Sequence, residues 1–516
     1  MFHHKLVVGG LVAGLSLLMV FTLANGAENE KNALDPHALI ELLKEKNIIS
    51  DQEAEKLILR NSGGQAQAVT PVITNADRYL EEITDHVVRN IEEDVGRKIK
   101  NEIKDELARE IKVEAYTSSV PGWAKRLKIA GDIRLRYQAD YLADSNADFL
   151  SPSEPTTPLN STHDRHRFRY RSRLGVTGKI NNQVTTEIRL ATGNESDPVS
   201  TNDTLGDYSN KDSLTLDRAY LKWDLVPETN LWTGDWHFQG GRMPNPFMAT
   251  DLVWDGDLHF EGLATTAMIP VTLTSKTYIN LGTFPLQEVE LTQKDKWLFA
   301  GQVGYSYEKL SFFTFTLGVG YYDYHNIEGK MNTAGNTLND YTAPPFQQKG
   351  NAIFDINPLP GNDNVKIALA MDYDELDIIS SLDISLFEPV HIILTGNYVK
   401  NLAYDHEEIL ARTGLSVPEE IEGYQFVFTA GHLKMRELGD WKTTFTYKYL
   451  EADAVLDAFT DSDFHLGGTN AKGWSIGLDV GLAPNFWFSG KWLTSDEIAG
   501  PQFSVDTLQV NLNARF

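Results

Sequence analysis

From Trp123 to the C-terminus, apolar and polar residues alternate in strand-length segments, and the connections between those segments sort by parity. Sixteen such segments can be read between residues 126 and 516, each long enough to cross a bilayer as a tilted strand. The link after every even segment is short: Lys179 to Asn182, Pro227-Glu228, Val271, Lys309, Glu388-Pro389, Glu437 to Asp440, and Pro484. The link after most odd segments is long and polar, as at 139–164, 193–213, 325–375, 401–422 and 452–471. A soluble sandwich has no reason to sort its connections this way, and its strands are usually only about 5–6 residues long. The pattern predicts a membrane all-β fold: an antiparallel transmembrane β-barrel of about 16 strands over residues 121–516, sitting in a cell outer membrane. Short turns and both chain ends then face the periplasm.

The last segment carries the alternation to its end. Leu508, Val510, Leu512, Ala514 and Phe516 interleave with Gln509, Asn511, Asn513 and Arg515, so one face suits lipid and the other water. A terminal Phe516 after such a strand resembles the signal read by the outer-membrane assembly machinery, an expected partner along with the lipid itself.

The N-terminal part has a different character. Lys5 precedes an apolar run from Leu6 to Leu23, and Ala24-Asn25-Gly26 offers small residues at a cleavage spacing. Residues 1–26 therefore read as a secretory signal peptide, with an uncleaved anchor helix as the alternative. Residues 27–60 read as a short helical pair, in which Ser50 and Glu53 form a capping box. Residues 61–75 are a linker. Residues 76–120 are predicted as one long periplasmic helix with a thin stripe that includes Leu80, Ile83, Val87, Ile91 and Val95. Its spacing of mostly four points to a right-handed supercoil. Its Ile and Val content points to a coiled-coil homotrimer, against the alternative of a helix folded back or solvated.

Composition excludes several classes. The chain has no cysteine, so a lipoprotein anchor, disulfides and thiolate metal sites are ruled out. Its formal charge of -26 argues against nucleic acid as a partner. No internal stretch is apolar enough to span a membrane as a helix.

Within the barrel region the sharpest motif is Arg165-His166-Arg167-Phe168-Arg169-Tyr170-Arg171-Ser172-Arg173. On a strand all five arginines project to one side. That side must be the lumen, because an arginine facing lipid costs about 2–4 kcal/mol at the midplane. Arg134 and Arg136 extend this wall on the preceding segment, and Arg218 and Lys222 on the fourth. Asp251, Asp255, Asp257 and Glu187 are the candidate counter-charges. Two readings follow. The ladder selects anionic solutes, as charge rings do in pores, or acidic neighbours neutralise it and it braces the wall.

A second constellation, Gly241-Arg242-Met243-Pro244-Asn245-Pro246-Phe247 followed by Asp251, Asp255 and Asp257, is too rich in Pro, Asn and Gly to be strand. It could be an inward-folded constriction loop carrying Arg242, Asn245, Asp251, Asp255 and Asp257, or a tight outer turn. Asp405-His406-Glu407-Glu408 reads as solvated charge. Asn202, Asp203 and Asp207 could bind calcium, though solvation is again the plainer reading. No catalytic constellation, cofactor site or metal site is expected.

The run Leu190-Ala191-Thr192-Gly193-Asn194, the segment Leu216-Asp217-Arg218-Ala219-Tyr220-Leu221, and Gly241-Arg242-Met243 with Asn245-Pro246-Phe247 resemble the putative porin family. The likeness covers most of residues 125–516 and, less closely, 34–60. It implies a barrel and passive transport of small hydrophilic solutes, not enzymatic activity, and it carries over no substrate. Two rival functions rest on the predicted helix: a structural envelope tether and a gated export channel.

Overall fold

In the computed structural model, residues 121–516 are described, apart from 153, 155, 226–233, 291–292, 310–311 and 362–363. The predicted signal peptide, helical pair, linker and long helix lie outside the described residues, as does the predicted Pro227-Glu228 turn.

Period-two patterning becomes sixteen long strands. They are β1 (Leu127–Leu142), β2 (Arg165–Lys179), β3 (Val184–Ala191), β4 (Thr215–Leu225), β5 (Asp235–Pro244), β6 (His259–Thr272), β7 (Ser275–Gln287) and β8 (Lys296–Lys309). The second half comprises β9 (Phe313–His325), β10 (Asp374–Phe387), β11 (Val390–Asn401), β12 (Glu422–His432), β13 (Trp441–Leu450), β14 (Ala471–Ala483), β15 (Phe486–Glu497) and β16 (Ser504–Arg515). Each pairs antiparallel with its sequence neighbours. β16 returns to β1, with Val510 opposite Tyr137 and Leu512 opposite Leu135, which closes the barrel and leaves no open edge. Phe516 seals the seam: its N–H donates to the Gly131 carbonyl and its carbonyl accepts the Gly131 N–H.

The parity of the connections holds. Residues 273–274, 388–389 and 484–485 make two-residue turns on one rim. The other rim carries 143–164, 192–214, 326–373, 402–421 and 451–470. β5 begins at Asp235, and residues 229–233 of its predicted segment lie outside the described residues. Among the described residues no helix is long and apolar enough to cross a membrane.

Side-chain alternation separates two surfaces. Leu135, Phe168, Ile188, Leu221, Leu263, Leu281 and Phe299 are exposed on the outer face. Their strand neighbours Arg136, Phe284 and Leu298 are at most 4% exposed and point inward. An exposed apolar band around a closed sheet is the surface a bilayer covers.

The long loops do not simply fringe the rim. Inward residues Phe260, Phe284, Leu298, Tyr322 and Tyr324 of β6–β9 form one apolar core with Phe247, Leu252 and Trp254 of the 245–258 loop. Ile356 and Met371 from the loop after β9, Ile409 from the loop after β11 and Val455 from the loop after β13 join it. Helix α1 (His406–Thr413) explains the Asp405-His406-Glu407-Glu408 cluster. The Asp405 carboxylate caps the helix by accepting from the Glu407 and Glu408 N–H groups at 3.0 and 3.1 Å, and Gly414 ends it with φ of 74°.

Candidate functional site: a charged lumen crossed by a folded loop

The 245–258 loop is folded inward, and its hydrogen bonds trace its path across the barrel. Asn245 Oδ1 accepts from Phe247 N at 2.8 Å, a local turn that starts the excursion. Gln302 of β8 then clamps the loop in both directions, accepting from Met248 N at 2.8 Å and donating to the Met248 carbonyl at 2.7 Å. Thr250 Oγ1 donates to Asn397 Oδ1 of β11 at 2.5 Å. Lys448 of β13 meets Asp251 at 3.3 Å and Asp461 at 2.9 Å. The loop returns to the opposite wall, where Asp257 lies 3.1 Å from Arg173 and 3.8 Å from Arg171 of β2.

A second loop locks the first. Asp255 N donates to the Phe459 carbonyl at 2.8 Å, and Ser462 N donates to Asp255 Oδ2 at 2.9 Å. Between these loops and the wall lies a polar cavity of about 970 Å³. Arg134, Arg136 and Arg218 line it together with Lys442 and Lys491. Asn245, Asp251, Asp255, Asp463 and Asp479 line it as well.

The arginine ladder divides by its partners. Arg167 pairs with Asp140 at 2.6 Å, and Arg171 and Arg173 share Asp132 at 2.8 Å each. Arg169 donates to the Asn202 carbonyl at 3.4 Å, and Arg165 is exposed at the strand start. None of these five lines the cavity. Arg136 pairs with Asp463 at 3.0 Å, Arg218 with Glu187 at 3.3 Å, and Lys222 with Asp224 at 3.0 Å. Arg134 donates to Asn202 Oδ1, and neither it nor Lys491 has a carboxylate in ion-pair contact among the described residues. That engagement of Asn202 stands where a calcium ligand was considered, and no cluster of three metal-ligating side chains occurs among the described residues.

Arg242 departs from the expected constriction set. It lies on β5, pairs with Glu261 and donates to the Asp217 carbonyl at 3.0 Å, outside the lining of the large cavity. Gly241 beside it has φ of 116°, and a Cβ there would collide with the Ala219 carbonyl. Its glycine is thus a backbone requirement.

The loop carboxyls differ in charge. Burial pushes Asp255 up to about 8, helped by the nearby Asp461 and Asp257 and opposed by the Asp257 and Ser462 N–H groups. Burial acts the same way on Asp463, but Arg136, Lys491, Arg134 and Arg169 outweigh it and hold that carboxyl far below the usual range. Lys448 and Lys491 likewise overcome burial at Asp251, bringing it to about 2.

Asp463, Lys491, Lys442 and the Lys448–Asp461 pair were absent from the sequence reading. Lys448 and Lys491 carried the same signal as the ladder. Each is a cation at an alternating position of an aromatic strand, Tyr447-Lys448-Tyr449 and Lys491-Trp492, so each must face inward. Asp463 had no such signal, because it sits in a loop whose fold is set by distant contacts.

A family model described as putative porin matches residues 35–516. Solved structures similar in fold include OprB of Pseudomonas putida, with 10% identity, 76% of this chain and 95% of that chain covered, and a TM-score of 0.43. The outer membrane channel DcaP of Acinetobacter baumannii has 12% identity, covers 76% and 97% of the two chains, and gives a TM-score of 0.40. OmpF of Salmonella typhi has 10% identity, 76% and 97% coverage, and a TM-score of 0.39. No curated protein matches the sequence.

Proposed function

Since the chain belongs to the putative porin family, we propose that it is an outer-membrane channel for passive diffusion of small hydrophilic solutes, with a preference for anionic ones. One observation carries the preference: the lining of the large cavity holds more cations than carboxyls although the chain is acidic. Five cations line the large cavity, Arg134, Arg136, Arg218, Lys442 and Lys491. They face four carboxyls, Asp251, Asp255, Asp463 and Asp479, of which Asp255 keeps its proton at neutral pH. His259 adds no charge: its Nε2 lies 2.9 Å from an Arg189 guanidinium nitrogen, which can only donate, so Nε2 must accept. The excess sits inside a chain of net charge -26. Fixed charge at a narrow point controls ion entry more than total charge does.

In this reading the constriction is set by Asn245, Asp251 and Asp255 on the inward loop, opposite Arg134 and Lys491. Arg165, Arg167, Arg169, Arg171, Arg173 and Lys222 brace the wall, and Asp257 ties the loop to it. The long loops face the cell exterior, as short turns face the periplasm in such barrels. Reversal potentials in planar bilayers under a salt gradient test the preference. The wild type is expected to favour chloride over potassium, and Arg134→Ala with Lys491→Ala is expected to abolish or reverse that preference. A cation-selective wild-type pore, or one indifferent to this double substitution, would falsify it.

A further inference from the structure

A second cavity of about 340 Å³ opens among the long loops, beside the large one. Its body is apolar: Phe260, Phe284 and Leu298 from the strand wall, and Phe346, Leu369 and Phe459 from the loops. The wall residues are nearly inaccessible and belong to the apolar core, so the pocket is built on rigid elements. Phe260 and Phe284 are tilted against each other with centroids 4.8 Å apart, leaving aromatic faces and edges toward the cavity.

Besides the paired Arg242 and Glu261, three polar groups in this pocket are under-used. Lys296 is 4% exposed, and its Nζ donates to one acceptor, the Thr342 carbonyl at 3.3 Å. An ammonium has three N–H donors. Asp457 is 2% exposed, and its buried Oδ1 has no hydrogen-bond partner among the described residues; Gln287 Oε1 is in the same condition. Unmet polar atoms of this kind cost about 1–3 kcal/mol each. A void between imperfectly packed loops would be apolar throughout; this one brings one spare donor group and two spare acceptors together.

We propose that this pocket binds a hydroxylated aromatic molecule of single-ring size. A ring satisfies the Phe-lined body by edge and face contacts. A hydroxyl both accepts from Lys296 and donates to Asp457 or Gln287, which neither a pure hydrocarbon nor an anion can do. A sugar of similar volume would bury most of its hydroxyls against phenylalanine and leucine. The volume lies within the usual range for small-molecule sites, about 300–1,000 Å³. Leu258 and His259 line both this pocket and the large cavity, so a bound molecule sits one side chain from the polar lumen. The site is independent of the proposed anion preference, since it uses different residues.

The test is a calorimetric titration of the full-length protein in detergent with 4-hydroxybenzyl alcohol, with D-glucose and toluene as comparison probes. Saturable binding of the phenol, stronger than that of either comparison probe, is expected. Lys296→Met should weaken it roughly tenfold or more. Ala458→Trp and Ser196→Trp fill the pocket from two different loops, and each should remove binding. Heat-modifiable mobility on electrophoresis confirms that a variant barrel is folded, and two filling variants guard against loss of one. Uptake that never saturates, equals that of empty micelles, or persists in a folded filled variant overturns the proposal. Ion conductance is measured separately, so a conducting pore that fails to bind the phenol counts against this site alone.

Discussion

The inner surface of this barrel has two unlike halves. On β1–β4 and β13–β16, inward positions carry Arg134, Arg136, Arg171, Lys448 and Lys491, and open polar space remains beside them. On β6–β9 the same inward positions carry Phe260, Phe284, Leu298, Tyr322 and Tyr324, and loops fill the space. Strand geometry is the same in both halves. The difference lies in what the inward residue needs from its neighbour. An aromatic ring gains by excluding water and so recruits a loop. A guanidinium needs water or a carboxylate, so its half stays polar. The 245–258 loop belongs to both halves: Trp254 is held by aromatics, while Asp251 and Asp257 are held by cations.

That division predicts how substitutions should act, and the aromatic half should give the largest effect. Trp254 is 2% exposed, with ring centroids of Phe260 and Tyr322 at 5.0 and 5.1 Å. Trp254→Ala should cost about 3–5 kcal/mol of loop docking, without opening the hydrogen-bonded barrel. Limited proteolysis should then cut within 245–258, and single-channel conductance should rise. An uncleaved loop with unchanged conductance would show that the aromatic half does not hold it.

The charged half should give a smaller effect at Lys448. Its side chain is 3% exposed between Asp461 and Asp251. Lys448→Met leaves two facing carboxylates without their cation. Because Asp251 is 40% exposed, the cost should fall near the low end of the range for buried pairs, about 3 kcal/mol. Replacing Asp461 with Asn in the same chain should restore part of it, read as the thermal midpoint of unfolding in detergent. Equal midpoints for the single and double variants would mean that packing, not charge, secures this side as well.

Legibility followed the same division. The strand count, the closed antiparallel order and the sorted rims were readable because period-two alternation and turn length are local. The inward ladder was readable because five arginines at alternate positions have one affordable side. What the arginines touch was not. Asp132 and Asp140 were within reach of a strand-pairing argument, since β1 lies beside β2 in register with Asp132 opposite Arg173 and Asp140 opposite Arg165. Asp463 was not, because it reaches Arg136 across 327 positions of chain through a loop with no periodicity. The residues expected on the inward loop line the cavity only in part, for the same reason. Asn245, Asp251 and Asp255 reach the cavity because Gln302 and Asn397, on distant strands, hold the loop there. The apolar pocket left no sequence signal, because its walls come from many separate stretches of chain.

The smallest expected effect sits where the halves meet, at Asp255, and depends on pH. Its carboxyl moves from an ordinary 3.8 up to about 8 when the loop is docked, through burial and the neighbouring Asp461 and Asp257. Between those values the docked state holds a proton that the undocked state has lost. Docking is therefore strongest below about pH 4, weakens as pH rises toward 8, and levels off above it. Asp457, raised by burial to about 7, contributes in the same direction, so the wild-type slope is shared. Asp251 and Asp463 are shifted the opposite way and finish titrating below this window. Asp255→Asn isolates the term, because its amide cannot ionise; its single oxygen replaces only one of the two acceptors, Oδ1 for Asp257 N–H and Oδ2 for Ser462 N–H, and that loss is an offset that does not change with pH. The difference in thermal midpoint, wild type minus Asp255→Asn, should fall steadily from pH 4 to pH 8 and then stay flat. A difference that does not change with pH would place Asp255 in the hydrated half of the lumen, ionised like Asp463, and would cut the excess of cations over carboxylates in the cavity lining to one.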